Sequence, residues 1–173
     1  MSELGLDERI TRIQEDFDAS FAKGIEEVSS DLTLHLMVRV GDERLALPIA
    51  HINRLVRDMD VVPLPGAPAH LQGVMNLRGD LVAVYDLPYL MGYRSDRELG
   101  GNVVVTKGLA FDAGISVSEI GTLVSLNVDE AGAVPVTVPA ALKSVIRGTT
   151  YLDGQLLMYL DLGQLISKLD ARV

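Results

Sequence analysis

Two aspartates at similar places in the sequence are the residues best suited to acid–base chemistry. Asp86 follows the apolar run 81–85, and Asp161 follows the apolar run 156–160. Two carboxylates brought close together can share a proton, as they do in aspartic proteases. Neither aspartate, however, is followed by the small hydroxyl residue and glycine that such a pair uses. Both precede short helical patterns, so we predict that they cap helix N-termini.

Other residue types offer no better candidates for catalysis. The three histidines, His35, His51 and His70, are scattered and lack the paired spacing of a zinc site. The sequence contains no cysteine, which excludes disulfides, thiolate metal ligands and cysteine nucleophiles. It also lacks the G-x-S-x-G, Walker and dinucleotide-binding motifs. We therefore predict that the protein is not an enzyme and that it has no cofactor and no metal site.

Charge and hydropathy restrict the partners and the compartment. The chain of 173 residues has a formal charge of −9, and residues 1–30 contribute −5 of that charge. Nucleic acids and anionic membranes bind basic segments, and none is present. The acidic N-terminus lacks the apolar segment of a signal peptide, and no run approaches the ~18 apolar residues that span a bilayer. We expect a cytoplasmic protein that does not bind nucleic acid and does not insert into a membrane.

An amphipathic pattern over residues 7–29 predicts a helix within an N-terminal segment, residues 1–31. Apolar side chains recur every three or four positions, and charged side chains occupy the other positions. The helix could pack against its own domain, or it could bind a partner or a second copy of the chain. The sequence leaves both interpretations open. The apolar positions are Leu6, Ile10, Ile13, Phe17, Phe21, Ile25 and Val28.

From residue 32 the apolar period changes to two, which is typical of a strand with one buried face. Nine further short runs, separated by turns, extend the strand pattern to residue 160. Many short strands with frequent turns are typical of barrels or sandwiches rather than of a parallel α/β sheet. We therefore predict a mainly β fold.

An internal repeat divides this β region into two. Residues 73–91 and 148–166 share seven identities in nineteen positions at a constant offset of 75 residues. Each copy predicts a strand, a tight hairpin turn, a second strand and a short capped helix. We therefore expect two similar domains, residues 32–95 and residues 96–173. Neither is large enough to be stable alone, so we also expect an apolar interface shared between them.

The hairpin turn differs between the two copies. Asp153-Gly154 is a typical two-residue hairpin turn, because both central residues need a positive φ. The first copy has Arg78 where the second has Asp153, although arginine is disfavoured there. A residue placed against local propensity indicates another constraint, often a functional one. The alternative is that a surface turn simply tolerates arginine.

The segment Gly73–Gly79, followed by the apolar strand and Asp86-Leu87, resembles the CheW signature, a G-V-x-N-L-R-G turn. The proline loop at residues 65–71 resembles the loop upstream of that signature. Residues 113–117 and 146–162 fit the second half of the family in order and spacing. The resemblance covers residue 32 to about residue 169.

This resemblance implies two SH3-like five-stranded barrels that share a hydrophobic interface. It also implies a non-enzymatic adaptor that couples chemoreceptors to a CheA-type histidine kinase in arrays beside the membrane. The implied partners are the regulatory domain of that kinase, the cytoplasmic tip of a chemoreceptor and other CheW-like domains. The implied partner-binding residues are Ile52, Arg54, Gly73, Arg78, Gly114, Ile120, Leu123 and Gly148.

Two positions depart from the family pattern. Arg54 stands where the family often has a glutamate that pairs with the signature arginine, so Arg78 needs another acid or stays solvated. Ser118 stands where the family has an aspartate. Together with the N-terminal helix, these departures suggest a specialised adaptor of a motility or developmental chemosensory system. A pair of barrels that senses a small ligand is a further alternative.

Deletion of residues 1–30 should leave a folded double barrel, because the strand pattern and the repeat begin after that segment. Circular dichroism and thermal unfolding of the truncated chain would show a cooperative β protein. Aggregation of the truncated chain would mean that the helix belongs to the core.

Overall fold

The described part of the β region contains ten strands, as the sequence pattern predicts. The computed structural model describes residues 31–93, 101–107 and 111–170. The predicted N-terminal helix lies outside the described residues. The chain divides into the units Met1–Leu32 and Thr33–Val173, and the account below concerns the second. The strands are β1 (Leu32–Val40), β2 (Glu43–Pro48), β3 (Ile52–Met59), β4 (Leu71–Leu77), β5 (Asp80–Asp86), β6 (Gly101–Thr106), β7 (Ala113–Val117), β8 (Glu119–Asn127), β9 (Ile146–Leu152) and β10 (Gln155–Leu160), and the α-helices are α1 (Leu87–Leu90) and α2 (Leu162–Asp170).

The strands form two sheets with the same internal arrangement. The first sheet has the order β8-β1-β2-β10-β9, and the second has the order β3-β6-β7-β5-β4. Each contains one parallel pair at its centre, β2 with β10 and β7 with β5. The parallel registers correspond through the repeat, since Met158 lies opposite Leu45 and Ala83 lies opposite Ala113. The offset of 75 residues therefore carries over from sequence to strand pairing.

The division of the strands between the sheets differs from the expected boundary between residues 95 and 96. The second sheet is formed by the continuous segment from β3 to β7, and the first sheet combines β1 and β2 with β8, β9 and β10. Each sheet thus adds three further strands to its repeated hairpin, but β5 pairs with a strand that follows it and β10 pairs with one that precedes it. The two sheets are circular permutations of one another. The repeat alone predicts the similarity of the sheets and not which segments pair.

Three apolar layers form the core. The middle layer takes side chains from both sheets, among them Leu45, Leu47, Val104 and Ile115, all fully buried. Two smaller layers lie outside the middle layer, one against the second sheet and one against the first. Successive side chains of one strand point to opposite faces and so contribute to both kinds of layer. Val103 and Val105 belong to the smaller layer of the second sheet, and Val104 belongs to the middle layer. The apolar interface expected between the two halves of the fold is therefore confirmed.

The repeated unit keeps its hydrogen bonds as well as its sequence. The Asp86 amide donates to the His70 carbonyl at 2.9 Å, and the Asp161 amide donates to the Val145 carbonyl at 2.7 Å. The Asp86 carboxylate accepts from the Tyr89 amide at 2.9 Å, and the Asp161 carboxylate accepts from the Gln164 amide at 3.0 Å. Both aspartates are therefore helix N-caps, as predicted. Asp161 also forms an ion pair with Arg147.

Gly73 and Gly148 occupy matching positions where two backbone segments approach closely. Gly148 precedes Thr149, which pairs with Gly132, and Gly73 precedes Val74, which pairs with Val62. A Cβ atom on Gly148 would lie 2.7 Å from the Gly132 carbonyl oxygen, and one on Gly73 would lie closer still to the Val62 carbonyl. Packing of the backbone is thus sufficient reason for glycine at both positions.

Replacement of either glycine with alanine should destabilise the fold, because backbone atoms must move to admit the methyl group. We expect Gly73→Ala and Gly148→Ala each to lower the free energy of unfolding by about 1–3 kcal/mol in urea titrations. Gly132→Ala is the matched control, since its methyl group would meet Thr149 at an ordinary 3.4 Å. Equal stability of all three variants would contradict this account.

Candidate functional site

The turn between β4 and β5 holds an arginine in an unfavourable backbone conformation. Arg78 has a φ of 57°, and Gly79 follows with a φ of 99°. The left-handed region costs a non-glycine residue about 1–2 kcal/mol. The Asn76 side chain accepts a hydrogen bond from the Gly79 amide at 2.8 Å and so stabilises the turn. The matching turn has Asp153 at a φ of 53°, which confirms the positive φ predicted at Asp153-Gly154.

Arg78 lines a pocket of about 390 Å³ together with Arg54 from β3. Arg78 is exposed and Arg54 is half-buried. Within the described ranges, neither arginine forms an ion pair or a side-chain hydrogen bond. Arg78 is therefore solvated, one of the two outcomes expected from the sequence.

The pocket also contains two carboxylates and an apolar rim. Asp112 accepts a hydrogen bond from the Asn53 side-chain amide at 2.6 Å, and Asp80 begins β5 beside the turn. With the two arginines, these carboxylates bring the formal charge of the pocket to zero. Leu81 and Phe111 belong to the same lining and are 74% and 86% exposed. Exposed apolar side chains that lie together at one site, as these two do, are typical of surfaces that contact other proteins or ligands.

The remaining residues implied by the resemblance lie in other places. Leu123 is 57% exposed on β8 of the first sheet. Ile52, at the start of β3, is half-buried against the middle layer. Four others are buried, namely Gly73, Gly114, Ile120 and Gly148. The structure thus brings Arg54 and Arg78 into one pocket and does not bring Leu123 or the buried residues to it.

Gly114 lies inside the second sheet, where a larger residue would not fit. A Cβ atom at this position would approach the Val103 side chain to 2.8 Å and the Val84 side chain to 3.2 Å. Its role in the free chain is therefore to allow close packing of β7 against its neighbours.

Ser118 has a structural role that sequence reasoning missed. Its hydroxyl accepts a hydrogen bond from the Gly41 amide at 2.9 Å, and its own amide donates to the Arg39 carbonyl. These bonds link the end of β7 to the turn between β1 and β2. Leu81 and Phe111 were also missed, because their exposure does not follow from the apolar pattern.

Two further features concern only the part of the chain that the structure describes. No group of three or more histidine, aspartate or glutamate side chains there could hold a metal ion. No helix there is both long and apolar enough to cross a membrane.

The fold matches that of a solved scaffolding protein. TtCheW from Thermoanaerobacter tengcongensis superposes with a TM-score of 0.66 at 19% identity, over 78% of this chain and 92% of that one. The two five-stranded sheets are thus two SH3-like β-barrels, the architecture of a double-barrel scaffold.

Sequence comparison assigns the family. A family model described as the CheW-like domain matches residues 34–170, and the chain therefore belongs to the CheW family of chemotaxis scaffold and adaptor proteins. The chain is 23% identical over 137 residues to the chemotaxis protein CheW of Thermotoga maritima, covering 79% of this chain and 89% of that protein. It is 24% identical over 135 residues to the chemotaxis protein CheW of Treponema pallidum, covering 75% of this chain and 79% of that protein.

Replacement of Arg78 with asparagine should stabilise the fold, because asparagine adopts the left-handed conformation at a lower energetic cost than arginine does. We expect the free energy of unfolding of Arg78→Asn to rise by about 0.5–1 kcal/mol in urea titrations. Asp153→Asn, in the matching turn, should change little, since aspartate already suits the conformation. A less stable Arg78→Asn variant would mean that the arginine stabilises the folded chain.

Proposed function

We propose that this chain is an adaptor that couples chemoreceptors to a CheA-type histidine kinase. The observation that carries the proposal is Arg78, which has a φ of 57° in an exposed turn and no ion-pair partner among the described residues. A strained charged residue that does not stabilise its own fold is more useful to a partner than to the barrel.

The proposed partners are the regulatory domain of the kinase, the cytoplasmic tip of the receptor and other CheW-like domains. Transient signalling contacts are small, so one charged residue at a turn can determine which partner binds. The proposed setting is the cytoplasm, beside receptor arrays at the membrane. The adaptor has no catalytic role, and the kinase supplies the chemistry.

The candidate residues contribute in two ways. Arg78, Arg54, Ile52 and Leu123 are exposed or half-buried, and we assign them direct contacts with partners. Gly73, Gly114, Ile120 and Gly148 are buried, and we assign them an indirect role, because they shape the backbone that presents the contact surface.

Arg54 favours a specialised set of partners. An acid at this position would pair with Arg78 within the chain, whereas a second arginine cannot. A partner that meets both arginines therefore needs more negative charge than one that meets a neutralised pair. As the alternative setting, we propose that these partners belong to a motility or developmental chemosensory system.

Charge reversal at the turn should abolish coupling and preserve the fold. Arg78→Asp copies the residue of the matching turn, which already has the required positive φ. We expect at least about a tenfold loss of affinity for the kinase regulatory domain or for the receptor tip, and a corresponding loss of kinase activation. Pull-down and reconstituted kinase assays with the proteins of the same organism would measure both.

Arg57→Asp is the matched control, because it makes the same charge change on β3 at an exposed position outside the pocket. An unchanged pull-down with Arg78→Asp, or a variant that no longer folds, would refute the assigned role. Failure of the parent chain to bind either partner would refute the proposed function itself.

A further inference from the structure

The pocket lined by Arg54 and Arg78 holds two cations that form no ion pair with any acid among the described residues. Arg54 is half-buried, and it forms neither an ion pair nor a side-chain hydrogen bond within the described residues. Arg78 lines the same pocket, and the like charge raises the cost of placing Arg54 there. A carboxylate placed against the two guanidiniums would accept charge-assisted hydrogen bonds from both and would offset this cost.

The chain's own carboxylates do not fill this role. Asp112 is engaged by the neutral Asn53 amide at 2.6 Å, and Asp80 forms no ion pair with either arginine. These acids nevertheless make the pocket neutral as a whole. A free anion therefore experiences little long-range attraction, and binding depends on contacts made at short range.

The rim of the pocket provides such contacts. Leu81 and Phe111 place apolar surface beside the arginines at 74% and 86% exposure. A small inorganic anion gains nothing from this surface, whereas an acidic side chain with an apolar neighbour gains from both parts of the pocket. Burial of apolar area contributes about 25 cal/mol per Å².

We infer that this pocket binds an acidic side chain of a partner protein, an aspartate or glutamate next to an apolar residue, held between Arg54 and Arg78. This inference rests on the proposed adaptor function for the identity of the partner, but not for the chemistry of the pocket. The partner's acid takes the place of an ion pair that the chain does not make internally.

A displayed library of random heptapeptides would test the inference without any assumed partner. Selection uses the full chain, and counter-selection uses the double variant Arg54→Gln/Arg78→Asn after urea titration has shown that it folds. Peptides that bind the parent alone should carry an acid beside an apolar residue. In fluorescence polarisation, replacing that acid with its amide should weaken binding by about tenfold. Arg57→Gln should bind the same peptides as tightly as the parent does.

Three results would overturn the inference. The first is that no peptide distinguishes the parent from the double variant. The second is that the amide peptide binds as well as the acid. The third is that inorganic phosphate displaces the peptide efficiently, which would make the pocket a small-anion site. A chain that selects acidic peptides but binds neither kinase nor receptor would refute the proposed function alone.

Discussion

The middle apolar layer is the constraint on which the rest of the fold depends. It joins both barrels through residues such as Leu45, Ile115 and Leu160, which are buried almost completely. Strands that border it are covered on both faces, because their alternate side chains fill the barrel interiors. Each buried aliphatic side chain contributes about 1.5–3 kcal/mol, so the middle layer stabilises both barrels together. Variation is therefore least costly at turns and on outer strand faces.

The candidate site lies where this constraint is weakest. Arg78 is in a hairpin turn, Arg54 is on β3 at the border of the second sheet, and neither contributes to an apolar layer. The core fixes the positions of both backbones, and the side chains remain available to a partner. The cost of the left-handed conformation at Arg78 is small beside the stabilisation from the layers. A double-barrel scaffold can therefore hold a strained, charged residue at its surface without loss of the fold.

Much of this arrangement follows from local physics and could be predicted. Positive φ at Asp153, helix capping by Asp86 and Asp161, and a shared apolar interface all depend on short segments or on chain length. The pairing of strands does not, because identities between residues 73–91 and residues 148–166 carry no information about which strands join each hairpin. The exposure of Leu81 also could not be predicted, since residues 81–85 are a continuous apolar run, the pattern of a strand buried on both faces. Family resemblance suggested Arg54 and Arg78 together, and the structure adds that they line one pocket.

The circular permutation of the sheets has a consequence for synthesis on the ribosome. The second barrel is continuous from β3 to β7, so all of its strands have been made before β8 begins. β1 and β2 have no complete sheet until β10 arrives and pairs with β2. Contacts so distant along the chain form slowly, and the unpaired edges of β1 and β2 stay open to other chains in the meantime. The first barrel is therefore the last part to close, and the chain is most exposed to misassembly with other chains before it closes.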